Sequence, residues 1–206
     1  MSSNAAPASP PLAASTALSS VPRPRGRDLS APELEAFVRE LAERPELWIE
    51  LVKHDASQRV YEELLSDAHL TAWLICWMDD QDTGFHDHDT SAGAVAVVGG
   101  RVREERLAIG GQPRKRTFAV GDSFRFAPAD IHRVRHGGSD PAVTLHVYSP
   151  LLARMGAYVI DDDGVLARHT MPSSHELRPL RSAEQYVADG QGAVDGQPAV
   201  AAQRAA

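Results

Sequence analysis

Phe85-His86-Asp87-His88-Asp89 decides how this chain is read. It sits in a run otherwise patterned as β-sheet. Two histidines spaced i, i+2 on an extended backbone point to the same face of a sheet. His132 follows on a later expected strand, just after a proline turn at Pro128. Three neutral imidazoles arriving from these positions would cap one face of a metal ion and leave the other open. That donor set suits a late divalent metal with vacant coordination positions.

The strands around this stretch are short and punctuated by Gly and Pro. Expected strands cover 58–65, 70–78, 92–99, 101–109, 115–120, 122–127, 131–136, 142–149 and 155–160, followed by a turn at Asp161-Asp162-Asp163-Gly164. Many short strands of this kind argue for a mainly β jelly-roll or sandwich. Ahead of them, Ser30-Ala31-Pro32-Glu33 reads as a helix start with a capping box. Leu34, Phe37, Val38 and Leu41 follow at helical spacing. A second short helix is expected from Pro45, carrying Leu47, Trp48, Leu51 and Val52. Residues 1–28 and 183–206 are rich in Ala, Ser, Pro, Gly and Gln, and are expected to be disordered tails around a folded body at 29–182.

Composition narrows the function. The 206 residues suffice for one domain, and the formal net charge of −7, with no long basic run, disfavours nucleic acid as a partner. A lone cysteine, Cys76, rules out an intramolecular disulfide framework and fits a reducing cytoplasm. No apolar stretch approaches the roughly 20 residues of a membrane span, and the N-terminus lacks a signal-peptide pattern.

The chain has nine histidines. Most such residues are surface or singly bonded groups, but His86-x-His88 with Gly100, and Gly121 through Pro128 to His132, resemble the two cupin motifs. Cupins place a glutamate ligand where this chain has Gly93, so the resemblance implies a three-histidine site. A narrower resemblance rests on Trp73-Leu74-Ile75-Cys76-Trp77, His86-x-His88, Ile131-His132-Arg133-Val134 and Thr144-Leu145-His146-Val147-Tyr148-Ser149-Pro150. Together these are similar to the cysteine dioxygenase family of thiol dioxygenases over about residues 30–160. The resemblance implies a cupin β-barrel behind two short helices, with Fe(II) at His86, His88 and His132. It also implies a relay in which Thr144 (Ser in the family) and His146 orient the Tyr148 hydroxyl over the metal. Alternation puts these three on one strand face.

Two positions depart from the family. Animal members carry a cysteine, cross-linked to the tyrosine, where this chain has Gly93, so no cross-link is expected. The family's Tyr-x-Arg pair, whose arginine clamps the substrate carboxylate, corresponds to Tyr61-Glu62-Glu63. Tyr61 is expected to line the pocket. Glu63 is a charge reversal that would favour a cationic or imidazole-bearing thiol, such as a thiol-histidine betaine. Arg59, on the same strand face, is the alternative clamp. The activity expected is oxidation of a small thiol by O2 to its sulfinic acid, with L-cysteine the family's own substrate. A non-catalytic ligand-binding cupin and a zinc or nickel isomerase are the readings from other classes.

Overall fold

The computed structural model describes residues 21–108, 111–160 and 165–172. Among the described residues, one α-helix, α1 (Ala31–Ala42), precedes eleven strands. They are β1 (Val60–Ser66), β2 (Thr71–Trp77), β3 (His86–Asp87), β4 (Ala92–Gly99), β5 (Arg101–Arg106), β6 (Arg114–Ala119), β7 (Ser123–Phe126), β8 (His132–His136), β9 (Ala142–Ser149), β10 (Arg154–Ile160) and β11 (Leu166–Pro172). The helix starts as its capping box dictates: the Ser30 backbone N–H donates to the Glu33 carboxylate at 2.9 Å. The second expected helix is not α-helical. It forms two 3₁₀ turns, Pro45–Leu47 and Ile49–Leu51. Between them Trp48 leaves helical geometry, and its indole N–H donates to the Leu41 carbonyl at 3.1 Å, which also accepts from the Arg44 backbone N–H at the end of α1.

The strands form two sheets, in the orders β1-β2-β9-β4-β7 and β11-β10-β3-β8-β5-β6. This is the mainly β, two-sheet arrangement expected of a cupin jelly-roll. Strand alternation assigns each sheet face its role. On β9, Val143, Leu145 and Val147 point outward beneath α1, where they join Leu34, Phe37, Val38 and Leu41 in one core cluster. Each such apolar side chain contributes about 1.5–3 kcal/mol when fully buried. The other face of β9 carries Thr144, His146 and Tyr148 into the space between the sheets. There Val95, Val97, Phe118, Phe124, Phe126, Val134 and Met155 make a second core cluster.

Three features fall outside the sequence reading. β3 is only two residues long, too short to show periodicity. β11 was not anticipated; it pairs antiparallel with β10 along its whole length. Val21, in the stretch read as tail, is buried in the helix-side core, and the neighbouring Arg23 pairs with Asp67 at 2.6 Å. The expected turn at 161–164 and the C-terminal tail lie outside the described residues. Gly100 closes the β4–β5 turn at φ +60°, and a Cβ there would lie 2.5 Å from the Pro141 carbonyl oxygen, so the turn demands glycine. Among the described residues, no helix is long and apolar enough to cross a membrane.

Candidate metal centre

His86 and His132 are direct partners across β3 and β8, which brings together residues 46 positions apart. His88 follows β3 on the same side. The potential ligand atoms of the three lie within 4.8 Å of one another, and all three side chains are 1–3% exposed. Burial holds every one of them neutral: the His86 pKa falls to about 4, and those of His88 and His132 lie well below the ordinary value. Neutral imidazoles are what a metal requires of these ligands.

The hydrogen bonds show which nitrogens face the centre. As a neutral ring, His86 donates from Nδ1 to the Gly84 carbonyl at 3.0 Å, which leaves Nε2 as its acceptor. His132 Nδ1 sits 2.9 Å from the buried Glu104 carboxylate, which accepts a hydrogen bond from the Nδ1–H of the neutral ring and leaves Nε2 inward. Neither nitrogen of His88, nor Nε2 of His132, has a hydrogen-bond partner. Buried imidazole nitrogens without partners are costly unless a ligand satisfies them. The site therefore fits a divalent metal ion held by three histidine nitrogens.

Several supporting groups escaped the sequence reading. The Glu104 oxygen that faces His132 also accepts from Arg106 at 2.7 Å, and Arg106 continues to Asp130 at 2.9 Å. Its signal was legible: in Val102-x-Glu104-x-Arg106, alternation puts a carboxylate on the face of a buried valine. Asp87, between the two histidines, faces the other way. It accepts two bonds from Arg168 of β11, at 2.7 and 2.8 Å, and one from the Tyr158 hydroxyl at 2.6 Å. The unanticipated last hairpin thereby pins the short metal-bearing strand. Phe126 stacks on His88, with ring centres 4.3 Å apart, and its ring lies where a side chain at position 93 would begin.

A cavity opens from the three histidines, lined also by His146, Tyr148, Arg59, Tyr61, Trp73, Ile75, Leu152 and Met155. The expected relay is geometrically continuous. Thr144 Oγ1 lies 2.8 Å from His146 Nε2, and His146 Nδ1 lies 3.0 Å from the Tyr148 hydroxyl. Burial lowers the His146 pKa to about 3 and pushes the Tyr148 phenol well above its usual value, so both are neutral. The Tyr148 ring centre is 5.1 Å from that of His88.

The structure places the two candidate clamp residues, Glu63 and Arg59, differently. Glu63 is half-buried, which raises its carboxyl pKa, but it is not among the residues lining the cavity. It pairs with Trp73 at a bulge in β1, one side-chain step beyond Tyr61, where the regular register ends. Arg59 takes the place on the other side of Tyr61. It is 6% exposed, lines the cavity, and stacks its guanidinium 5.1 Å from the Trp77 ring centre.

No curated protein matches the chain. Solved structures with a similar shape include a conserved protein with a double-stranded β-helix domain from Klebsiella pneumoniae. It is 15% identical, at a TM-score of 0.44, over 58% of this chain and 91% of that one. A cupin superfamily protein from Desulfitobacterium hafniense is 12% identical, at 0.42, over 51% and 87%. KdgF from a Halomonas species is 18% identical, at 0.41, over 48% and 85%. The family model described as cysteine dioxygenase type I matches residues 25–160, well over half of the chain and all of the elements that carry the three histidines and the relay. The chain therefore belongs to the cysteine dioxygenase type I family, a family of metal-dependent oxidoreductases.

Proposed function

We propose that the protein is a non-haem Fe(II) thiol dioxygenase that oxidises a small, carboxylate-bearing thiol to its sulfinic acid. Both atoms of O2 go to sulfur, so thiol plus O2 equals product. The observation that carries this reading is the convergence of three buried, neutral imidazoles on a cavity shared with Tyr148 and Arg59.

His86, His88 and His132 would hold the iron. Bound there, without a carboxylate ligand to offset its charge, Fe(II) supplies a Lewis-acidic site that favours the thiolate and the redox chemistry with O2. The other residues bind, orient and exclude. Arg59 receives the substrate carboxylate. An ion pair at about 4 Å is worth roughly 4 kcal/mol at an effective dielectric of 20 before desolvation, and a quarter of that changes affinity several-fold. Tyr61 and Trp73, whose ring centres are 5.6 Å apart, wall the same end. Ile75, Leu152 and Met155 keep the reacting end dry. Tyr148 offers a neutral hydroxyl as donor at the cavity surface, oriented by His146 and Thr144.

The cationic thiol suggested by Glu63 gives way in this reading to an acidic one, such as L-cysteine or 3-mercaptopropionate, because Arg59 rather than Glu63 lines the cavity. The single cysteine, Cys76, is buried, in keeping with a reducing cytoplasm as the place of action. The test is oxygen uptake by the iron-loaded protein with a panel of thiols, together with identification of the product. Stoichiometric uptake and a sulfinate with an acidic thiol are expected. Metal retention without uptake on any thiol would leave the non-catalytic ligand-binding reading in its place.

A further inference from the structure

The relay does not begin at Thr144. The Trp77 indole Nε1 lies 2.8 Å from Thr144 Oγ1, and Trp77 is fully buried. An indole nitrogen can only donate. This end of the chain therefore has a defined direction, which the hydroxyls and the imidazole beyond it do not have by themselves.

Two hydrogen-bond patterns are available to the neutral His146. In the first, Trp77 donates to Thr144, and the Thr144 hydroxyl donates to His146 Nε2. His146 Nδ1–H then donates to the Tyr148 oxygen. The phenol hydrogen is left to point into the cavity. In the second, His146 carries its proton on Nε2, so Thr144 Oγ1 accepts from both Trp77 and His146. The Thr144 hydrogen then has only the Ile75 carbonyl, at 3.5 Å, and the Tyr148 hydrogen is consumed by His146 Nδ1. The first pattern keeps every bond between 2.8 and 3.0 Å. The second leaves a buried hydroxyl hydrogen on a bond at the outer limit of hydrogen-bond distance.

We infer that Trp77 is a positioning residue that sets the proton direction of the relay, so that the Tyr148 hydroxyl is a hydrogen-bond donor to whatever occupies the cavity. This rests on the proposed function for the use of Tyr148, but its test does not. The full-length protein, labelled with 15N-histidine and loaded with diamagnetic Zn(II), reports the His146 tautomer by NMR, and His146→Gln identifies the resonances. Wild type is expected to show a protonated Nδ1 and an unprotonated Nε2. Trp77→Phe keeps an aromatic ring but removes the donor, and should transfer a large fraction of His146 to the Nε2–H tautomer. Thr144→Val removes both the donor to His146 Nε2 and the acceptor of the Trp77 indole, so the Nδ1–H preference should weaken, whereas Thr144→Ser should keep the wild-type pattern. In the iron-loaded protein, Trp77→Phe should lower kcat for the thiol about three- to tenfold, the worth of one neutral hydrogen bond, with KM little changed. An Nε2–H tautomer in wild type, or a tautomer unmoved by both Trp77→Phe and Thr144→Val, overturns the inference. If no thiol is oxidised, the activity reading fails while the tautomer result stands by itself.

Discussion

Gly93→Ala adds one methyl group at the most crowded point of the site, and its cost can be worked from the structure. A Cβ at position 93 would lie 2.2 and 2.3 Å from two carbons of the Phe126 ring and 3.1 Å from a Tyr148 ring carbon. Ordinary contact begins near 3.4 Å, so the Phe126 ring edge must retreat by about 1 Å. It has little room: the ring stacks at 4.3 Å on His88 and sits 4.5 Å from His132. Overpacking of this kind costs about 1–3 kcal/mol. For a chain of this size that is a fall in Tm of roughly 2–12 °C. Because the displaced ring presses on two metal ligands, metal affinity should fall as well. Thermal melting by circular dichroism and titration with Fe(II) measure the two effects. Phe126→Leu removes the offending ring atoms, so the double variant should be more stable than the sum of the single effects by about 1 kcal/mol or more. A Gly93→Ala protein melting within a degree of wild type, with additive behaviour in the double variant, would refute the packing argument. The same crowding bears on the cross-link: with no side chain at 93, denaturing gels should show one species, not a doublet.

Four further outcomes are expected. His86→Ala, His88→Ala or His132→Ala should each strip most of the iron, and stoichiometric iron retained in all three would remove the site assignment. Glu104→Gln keeps an acceptor for His132 but loses the charge that balances Arg106; Fe(II) should bind about 10–100-fold more weakly by competition with a chelator. Tyr148→Phe should reduce turnover about 10–1000-fold with iron content unchanged, and an unaltered rate at saturating thiol would take Tyr148 out of the reaction. Arg59→Gln should raise KM several-fold for 3-mercaptopropionate, while Glu63→Gln leaves it alone; kcat/KM for both variants decides between these two residues.

How much of this was legible beforehand depends on the range of the interaction. Period-two alternation is local, so the sequence alone put His86 with His88 and Thr144 with His146 and Tyr148 on shared faces. The cap and apolar spacing of α1 were equally local. The short strands and their Gly and Pro turns sufficed for a mainly β jelly-roll. The rest depended on partners far apart in the chain. His86 meets His132 only because β3 pairs with β8. Glu104 reaches His132 across 28 positions, Trp77 reaches Thr144 across 67, and Arg168 reaches Asp87 across 81. By alternation in the sequence Glu63 and Arg59 fall on one expected strand face, and no periodicity separates them, although β1 begins only at Val60. The bulge after Glu63 and the walls of the cavity decide which of the two lines the cavity. Local pattern determines which way a side chain points from its own backbone; what it points at is decided by sheet pairing and packing, which exist only once the chain has folded.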